Sequence, residues 1–447
     1  MTSFDAGLGG LLDELRWRGM LHAASEGLEA RLATGRPISG YNGFDPSGPS
    51  LHIGSLVPIF GLLHFQRHGG RPVALVGGGT GMIGDPSGRS SERNLLDVET
   101  LEVNVASIRA QLEHFLDFEG PRGALLVNNL DWLAPMTVID FLRDVGKHFT
   151  VPYMLAKDSV QIRLEKGLSF TEFSYMLLQS ADFAHLHRTM GVEMQMGGAD
   201  QWGNITAGLE LIRRTSATAV YDQGEQVVEG VEAVTHGPEP AFAMAYPLLL
   251  TPSGAKFGKS EGGDSVWLDP AMTTPFAFYQ HWLNTDDRDV GVHLRWFTTM
   301  SPDEIEALDA AVAANPGARA AQRALALDVT GRTHGADVAR QVADDSVALF
   351  APDPIRDPAL LERLFASVGG FSVDTAVSAG SGAAAVLAGA GVFSSNGEAR
   401  RMIQNAGLTI NGEPIRDPAA PMPAPIAGQW WEVRIGKRRR ELGRLVR

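Results

Sequence analysis

Two residues near the start of the chain, His52 and Gly54, have the types and spacing of a nucleotide-binding segment. They lie in FDPSGPSLHIGS, residues 44–55, between an apolar run and a helical pattern. Backbone N–H groups at a helix start attract phosphate, histidine can donate to phosphate oxygens, and glycine lets a flat base lie on the backbone. Taken alone, the segment is more typical of a capping or buried histidine.

A glycine cluster, GGGTGMIGDPSG at residues 77–88, follows an apolar run and contains the dinucleotide-binding spacing G-x-G-x-x-G. That motif needs a helix that starts at its third glycine, Gly84. Pro86 and Gly88 oppose such a helix, which disfavours a nicotinamide-dependent enzyme. We interpret the cluster as a tight loop at a strand end that presents Asp85, either to a substrate amine or to its own backbone as an Asx-turn.

Two lysines, Lys256 and Lys259, lie in the Gly- and Ser-rich segment TPSGAKFGKSEGG, residues 251–263. Ammonium groups on a mobile loop can close over a triphosphate and stabilise the charge that develops there. An exposed basic hairpin is the more usual explanation of such a segment.

The elements that must position these segments alternate between strands and helices. Short apolar runs predict strands at residues 36–44, 72–76, 125–128, 194–197 and 246–251. Apolar residues spaced three and four apart predict a helix over 51–68. This alternation predicts an α/β fold with a doubly wound parallel sheet, in which ligands bind at the carboxyl ends of the strands. Farther along, a capping box at 301–304 begins an all-helical stretch.

Composition limits the class of protein. The 447 residues suffice for about three domains, and the absence of cysteine excludes disulfides, thiol nucleophiles and cysteine-based metal sites. No apolar run approaches the roughly 18 residues of a membrane span. The acidic N-terminal segment lacks the basic start of a secretory signal, so we expect a cytoplasmic protein.

Charge is unevenly distributed along the chain. Residues 391–447 carry ten basic and five acidic side chains, a net charge of +5, whereas the rest carries 28 and 47, a net charge of −19. A basic tail on an acidic body is typical of an appended module that binds a polyanion. A solvated terminus without a partner is the alternative.

The order of these segments, together with three longer motifs, gives the chain a family resemblance. The motifs lie at residues 169–179, 181–183 and 197–204. In them the chain resembles the bacterial tyrosyl-tRNA synthetases, which are class I aminoacyl-tRNA synthetases, and its Lys-Phe-Gly-Lys-Ser is similar to the KMSKS signature of that class. With the C-terminal unit, the resemblance covers nearly the whole chain.

The resemblance implies a domain order. A Rossmann-like catalytic domain with a doubly wound parallel sheet would span residues 1–264 and contain an inserted dimerisation segment near 120–190. An all-helical domain that recognises the anticodon would follow at 265–352, then a linker at 353–383 and a small α+β S4-type RNA-binding domain at 384–447. The linker also agrees with the Pro-, Asp-, Gly- and Ser-rich composition there. A homodimer is the expected assembly, without a membrane or DNA partner.

The implied reaction, tyrosine–tRNA ligation in protein biosynthesis, has two steps. The carboxylate of L-tyrosine attacks the α-phosphate of ATP and pyrophosphate leaves; the 3′-terminal ribose of tRNA(Tyr) then takes the tyrosyl group. The attacking carboxylate needs no general base, so catalysis rests on positioning and charge stabilisation. Mg²⁺ would arrive with ATP, and no protein-bound metal is expected.

The resemblance also implies roles for individual residues. Tyr41 and Asp182 would bind the substrate phenol, and phenylalanine would leave them unpaired. The residues around the substrate ammonium would be Asp85, Tyr175, Gln179 and Gln201. The ATP site would comprise Gly43, Asp45, Ser47, His52, Gly54, Ser55, Gly198 and Asp200. The pyrophosphate would be held by Lys256, Lys259 and Ser260, with help from Arg89 and Arg93.

Basic residues of the tail would contact tRNA phosphates. They are Arg400 and Arg401 on a predicted helix, and Arg434, Lys437, Arg438, Arg439 and Arg440 on a strand and turn. The chain departs from the family pattern in two places. Ser55 replaces the second histidine of the HIGH signature, which predicts altered nucleotide affinity without loss of activity. Residues 221–241 break the apolar pattern and are interpreted as a surface insertion.

Two other functions stay open. Activation of tryptophan would use the same fold and chemistry, although Tyr41 and Asp182 suit a phenol better. A catalytically silent relative that only binds RNA is the second alternative, and the intact His52, Lys256 and Lys259 argue against it.

Overall fold

The computed structural model describes residues 7–84, 97–157, 160, 161, 164, 167–222, 240–248, 265–436 and 439–446. The chain forms two compact units. The first comprises residues 1–272 and 285–325, and the second comprises residues 273–284 and 326–447. No helix among the described residues is long and apolar enough to cross a membrane.

One sheet organises the first unit. Its strands are β1 Ala23–Ala24, β2 Ser39–Phe44, β3 Arg71–Val76, β4 Leu125–Asn128, β5 Val192–Gly198 and β6 Phe242–Tyr246. They lie in the order β1-β6-β5-β2-β3-β4, and all neighbours are parallel except the edge pair of β1 and β6. The chain places β3 and β4 on one side of β2, and β5 and β6 on the other. This confirms the doubly wound fold, whose order reverses between β2 and β5 and opens a crevice at their carboxyl ends.

Helices fill the connections of this sheet. They are α1 Leu11–Arg18, α2 Leu28–Ala33, α3 Leu56–Arg67, α4 Gly78–Gly81, α5 Val98–Leu112, α6 Leu130–Leu133, α7 Val138–Asp144, α8 Val151–Leu155, α9 Phe170–Met190 and α10 Trp202–Asp222. The strand predicted at 246–251 lies earlier, because the apolar run that pairs with β5 ends at Tyr246.

Two of these helices have clear local signals. A capping box between Ser169 and Glu172 starts α9, and Gly191, with a φ of +63°, ends it. The structure starts α3 at Leu56, later than the predicted residue 51, after a short 3-10 turn at Ile53–Ser55. Pro58 lies in the first turn of α3, where its missing N–H costs no hydrogen bond.

The described part of the glycine cluster, residues 77–84, forms a tight turn at the end of β3. Helix α4 has only one turn, and Gly84, with a φ of +86°, lies just beyond it, its N–H donating to the Thr80 carbonyl at 2.9 Å. A side chain at Gly78 would collide with Asn128, which follows from the close approach of the turn to the end of β4. Residues 77–84 of the cluster therefore form a turn at the strand end, as interpreted from the sequence, and Asp85, Pro86 and Gly88 lie outside the described residues.

Beyond residue 265, α12 and α13 lie in the first unit, α11 and α15 to α19 lie in the second, and α14 contains the boundary between residues 325 and 326. They are α11 Pro275–Leu283, α12 Val290–Phe297, α13 Pro302–Ala314, α14 Ala320–His334, α15 Ala336–Phe350, α16 Pro358–Val368, α17 Thr375–Gly380, α18 Ala383–Gly389 and α19 Asn396–Gln404. The predicted capping box of Ser301 and Glu304 starts α13. The expected helical domain at 265–352 is divided, since residues 285–325 belong to the first unit and α11 to the second.

A second sheet lies in the second unit. Its strands are β7 Phe371–Asp374, β8 Leu408–Ile410, β9 Glu413–Pro414, β10 Trp430–Ile435 and β11 Arg439–Val446, in the order β7-β11-β10-β8-β9. Strand β7 pairs in parallel with β11, and the other pairs are antiparallel. Its apolar residues share one core with α18 and α19.

The segment at 353–383 is not the linker that its composition predicts, because it contains α16, β7 and α17. Its Asp, Pro and Gly residues act as helix signals: Asp357 caps α16, Pro358 is the first residue of that helix, and Gly369 follows its end. Leu361 and Leu364 of α16 are fully buried. Composition alone does not distinguish a capped helix from a flexible connection.

Two arginines expected on the RNA-binding surface have structural partners within the second unit. Arg440 donates to the carbonyls of Ala348 and Ala351 at 2.9 and 2.8 Å and pairs with the buried Glu432 at 2.9 Å. Arg434 pairs with the same carboxylate at 2.8 Å and donates to the carbonyl of Asp353 at 2.6 Å. These bonds fasten the end of α15 to the sheet and give Arg434 and Arg440 structural partners, while their contact with tRNA phosphates stays a prediction.

Candidate active site

A cavity of about 210 Å³, which we call the β2–β5 cavity, lies at the carboxyl ends of β2 and β5. Five of the six residues assigned to the amino acid line it: Tyr41, Tyr175, Gln179, Asp182 and Gln201. The sixth, Asp85, lies outside the described residues. The helical spacing of Tyr175, Gln179 and Asp182 places all three on one face of α9, as three- and four-residue steps require.

The carboxylate of Asp182 is held by two donors that follow β4. The Asn129 side-chain amide donates to Oδ2 at 2.9 Å, and the Trp132 indole N–H donates to Oδ1 at 2.8 Å. The same Asn129 amide donates to the Thr80 hydroxyl at 2.9 Å, and the Asn129 side-chain oxygen Oδ1 accepts from the Gly79 N–H at 2.7 Å. The glycine turn therefore fixes Asn129, and Asn129 helps to orient Asp182.

Burial dominates the electrostatics at this end of the cavity. It raises the pKa of Asp182 from 3.8 to about 7, although the Asn129 and Trp132 donors act to lower the pKa. Burial, and then the Asp182 charge, raise the pKa of the Tyr41 phenol well above its ordinary value. Within the described residues, the buried Tyr41 hydroxyl makes no hydrogen bond. A hydroxyl and a carboxylate thus face the cavity with hydrogen-bonding capacity for a ligand group.

Side-chain amides form another part of the wall. The Asn204 amide N–H donates to the side-chain oxygens of Gln179 and Gln201, each at 3.1 Å. Gln195 of β5 also lines the cavity, and its buried side-chain oxygen has no hydrogen-bond partner in the described parts of the chain. Such oxygens accept hydrogen bonds and suit a ligand ammonium.

A second cavity, of about 510 Å³, lies beside the first and is called here the His52 cavity. Six residues assigned to ATP line it: Gly43, Asp45, Ser47, His52, Gly54 and Ser55. Gly43, Phe44, Asp45 and Pro58 line both cavities. The end of β2 thus lies between the smaller β2–β5 cavity and the larger His52 cavity.

Backbone pairing holds the His52 segment in place. Ile53 N–H donates to the Val266 carbonyl at 3.0 Å, and Leu268 N–H donates to the Leu51 carbonyl at 2.9 Å. The Trp267 ring meets the His52 ring edge-on, with centroids 6.2 Å apart. The Gly54 N–H donates to His52 Nδ1 at 3.0 Å, so in the neutral imidazole the proton is carried by Nε2.

Similarity to known proteins shows the family to which this chain belongs. The profile of the family "tRNA synthetases class I (W and Y)" matches residues 33–351. A tyrosine–tRNA ligase of Anaeromyxobacter dehalogenans is 49% identical over 432 residues, which cover 96% of this chain and 97% of that protein. One of Bacillus caldotenax is 46% identical over 437 residues, covering 96% and 98%.

The chain belongs to the bacterial tyrosine–tRNA ligases of class I. A solved structure agrees: a C-terminally truncated mitochondrial tyrosyl-tRNA synthetase of Coccidioides posadasii superposes with a TM-score of 0.64 at 31% identity. The match covers 75% of this chain and 91% of that one. The chain is accordingly an aminoacyl-tRNA synthetase, as its motifs predict.

The other residues that the sequence assigns to ATP and tRNA lie partly within and partly outside the described residues. Gly198 lines the β2–β5 cavity, and a side-chain carbon on it would come within 2.7 Å of Asp200 Oδ1. The two residues assigned to the ATP ribose are therefore neighbours. Arg400 and Arg401 are exposed on α19. Residues that lie outside the described parts of the chain are Asp85, Arg89, Arg93, Lys256, Lys259, Ser260, Lys437 and Arg438. The 221–241 insertion falls almost wholly outside them too.

Sequence reasoning missed several residues of the site. They are Asn129, Trp132, Gln195, Asn204 and Trp267. A signal was present for three of them, since Asn204 ends the motif at 197–204, and Asn129 and Trp132 follow predicted strand 125–128 at the carboxyl edge where ligands bind.

Proposed function

We propose that this synthetase activates L-tyrosine with ATP and transfers the tyrosyl group to tRNA(Tyr). The observation that carries the proposal is that the Tyr41 hydroxyl and the Asp182 carboxylate both line one small cavity. A tyrosine phenol can donate to Asp182 and accept from Tyr41, whereas phenylalanine would leave the Tyr41 hydroxyl without a partner and Asp182 without this further donor. An indole has a single N–H donor and no acceptor to offer Tyr41.

The first step requires the substrate carboxylate to meet the α-phosphate. The shared wall of the two cavities, Gly43 to Asp45, supports a geometry in which tyrosine occupies the β2–β5 cavity and ATP the His52 cavity. Holding the two reactants side by side removes most of the entropic cost of their encounter. The carboxylate attacks phosphorus, pyrophosphate leaves, and tyrosyl-adenylate forms without proton abstraction.

His52 is suited to stabilise the phosphate charge. With Nδ1 accepting from Gly54, its Nε2–H is the group that would donate to a phosphate oxygen. We assign Lys256, Lys259 and Ser260, with Arg89 and Arg93, to the pyrophosphate, and Asp85 to the substrate ammonium, on the family motif. ATP would carry Mg²⁺ on its phosphates; the described residues contain no group of three or more His, Asp or Glu side chains placed to hold a resident ion.

We also propose a homodimer formed through the 120–190 segment, acting in the cytoplasm where its tRNA substrate is used. Five large apolar side chains of that segment are between 52% and 76% exposed: Val138, Ile139, Leu142, Val151 and Phe170. Four of these residues lie on the short helices α7 and α8 and Phe170 lies at the start of α9, and large apolar side chains this exposed are typical of a protein interface.

Amino-acid-dependent ATP–pyrophosphate exchange tests the substrate. We expect exchange with tyrosine and background rates with phenylalanine and tryptophan. Asp182→Ala should reduce tyrosine-dependent exchange by more than about a hundredfold, because a charge-assisted hydrogen bond of roughly 3 kcal/mol is lost.

Asp303→Ala, at an exposed position of α13, is the control and should match the wild type. Exchange with tryptophan would transfer the substrate assignment to that amino acid. The absence of exchange with all three amino acids would favour the silent RNA-binding alternative.

A further inference from the structure

Trp132, which donates to Asp182, is stacked on a histidine that no motif of the chain singles out. The His185 and Trp132 rings lie nearly parallel, at 11°, with centroids 4.5 Å apart. His185 lies one turn beyond Asp182 on α9, so one helix presents both the carboxylate and the ring that supports its donor. Stacked aromatic pairs of this kind favour one relative orientation of the two rings.

The plane of the Trp132 ring determines where its N–H points. In this orientation the indole N–H donates to Asp182 Oδ1 at 2.8 Å, and α6, which carries Trp132, has a single turn and no buried residue. Packing from the short helix itself therefore gives the indole little support. The indole is supported by the core cluster that contains Leu75 and Phe183, against which it packs, and by the stacked His185 ring on the long, well-capped α9.

We propose that His185 is a positioning residue for recognition of the substrate phenol, acting through Trp132 on the Asp182 carboxylate. The inference rests on the proposed function, because it assigns the phenol to Asp182. His185 itself does not line the β2–β5 cavity and would not touch the substrate. Its effect is confined to the geometry of the carboxylate that accepts the phenol hydrogen.

The surroundings of His185 indicate that its ring orients Trp132 and does not fill the core. The side chain is half-buried and also lines a separate cavity of about 950 Å³, together with Arg36 and Arg188, which are both exposed. Removing the ring therefore leaves no sealed void in the protein, and the cost of a core cavity does not arise. Burial and then Arg188 lower the pKa of His185, so the stacked ring is neutral at neutral pH.

The test is His185→Ala, assayed by ATP–pyrophosphate exchange with tyrosine and with phenylalanine. We expect the KM for tyrosine to rise about fivefold, the factor that corresponds to the roughly 1 kcal/mol of an aromatic pair. The preference for tyrosine over phenylalanine should fall by a similar factor. The KM for ATP and the kcat should stay within twofold, because the lost interaction is the same in the ground and transition states.

His185→Phe keeps a flat ring at the position and should restore the tyrosine KM to near the wild-type value. His114→Ala, at an exposed histidine of the first unit, is the matched control for loss of an imidazole. A tyrosine KM unchanged in His185→Ala, or one that rises equally in His185→Phe, would overturn the inference. A rise in the ATP KM alongside the tyrosine KM would also overturn it, since general loosening would then explain the effect.

The wild-type reaction separates this inference from the proposed function. Without tyrosine-dependent exchange in the wild type, the proposed function itself fails. With exchange in the wild type and an unchanged His185→Ala, only the positioning role fails.

Discussion

Asp182 is a buried carboxylate whose charge state depends on its surroundings. Burial penalises the ionised form, while the donors from Asn129 and Trp132 favour it, and the balance raises the pKa to about 7. The phenol hydroxyl of a substrate supplies a further donor to the same carboxylate. Binding should therefore favour the ionised form and release a proton near neutral pH.

Tyrosine affinity should accordingly depend on pH in the free enzyme. Below pH 7 the Asp182 carboxyl is protonated before binding, so the Kd for tyrosine should rise as pH falls, approaching about tenfold per pH unit. Titration calorimetry without ATP, between pH 5.5 and 8.5, measures the effect. Repeating it at pH 6.5 in two buffers of different ionisation enthalpy should detect the released proton.

In Asp182→Asn the pH dependence should disappear together with most of the affinity. A tyrosine Kd that is constant between pH 6 and 8 in the wild type would contradict the assignment of this titration to Asp182.

At the scale of elements, a buried polar cluster fastens α1 to α3, the helix that follows the His52 segment. Glu14 of α1 pairs with Arg18 at 2.8 Å and with His68 Nε2, just beyond α3, at 2.6 Å. Arg18 also donates to the carbonyls of Arg295 and Met300 at 2.9 Å each. The partners outweigh burial and hold the pKa of Glu14 well below its usual range.

Replacing Glu14 by alanine should lower the free energy of unfolding by about 3 to 5 kcal/mol, because it removes the only carboxylate that the described residues place against the buried Arg18. Equilibrium unfolding in urea measures this. Asp13→Ala is the matched control. The Asp13 carboxylate pairs with Arg16 at the surface, so the free energy of unfolding should change by no more than about 0.5 kcal/mol. Equal effects of the two substitutions would show that the cluster does not stabilise the first unit.

At the scale of the whole molecule, the two cavities and the exposed arginines expected to bind tRNA lie in different units. Both cavities lie in the first unit, and the exposed Arg400 and Arg401 lie in the second. A truncation at residue 384 is a poor test of the tail, because it would leave β7 without its partner β11 and would open the shared core. Substitutions at exposed positions leave that sheet intact.

The double variant Arg400→Ala/Arg401→Ala should weaken tRNA(Tyr) binding and leave ATP–pyrophosphate exchange unchanged. If both side chains contact phosphates, the slope of log Kd against log salt concentration should fall by roughly 1 to 2. Filter binding at several salt concentrations measures the slope, and Arg400→Lys/Arg401→Lys, which keeps the charge, is the control. Unchanged affinity and slope in the alanine variant would place the RNA surface elsewhere.

The sequence by itself determined the features that depend on neighbours along the chain. The spacing of Tyr175, Gln179 and Asp182 fixes a common helix face, and the Ser169 and Glu172 pair marks where that helix begins. Alternating apolar runs determined the parallel sheet and hence the edge at which the site lies.

Tertiary structure alone decided which distant segments meet. Asn129 and Trp132 contact Asp182 across about 50 residues because β4 lies beside β3 in the sheet, and strand order depends on contacts that no local pattern encodes. In the same way, Arg434 and Arg440 look like a basic surface patch in the sequence, yet they bond the buried Glu432 and the carbonyls at the end of α15. Residue type gives the chemistry that a side chain can perform, and packing determines the partner that it meets.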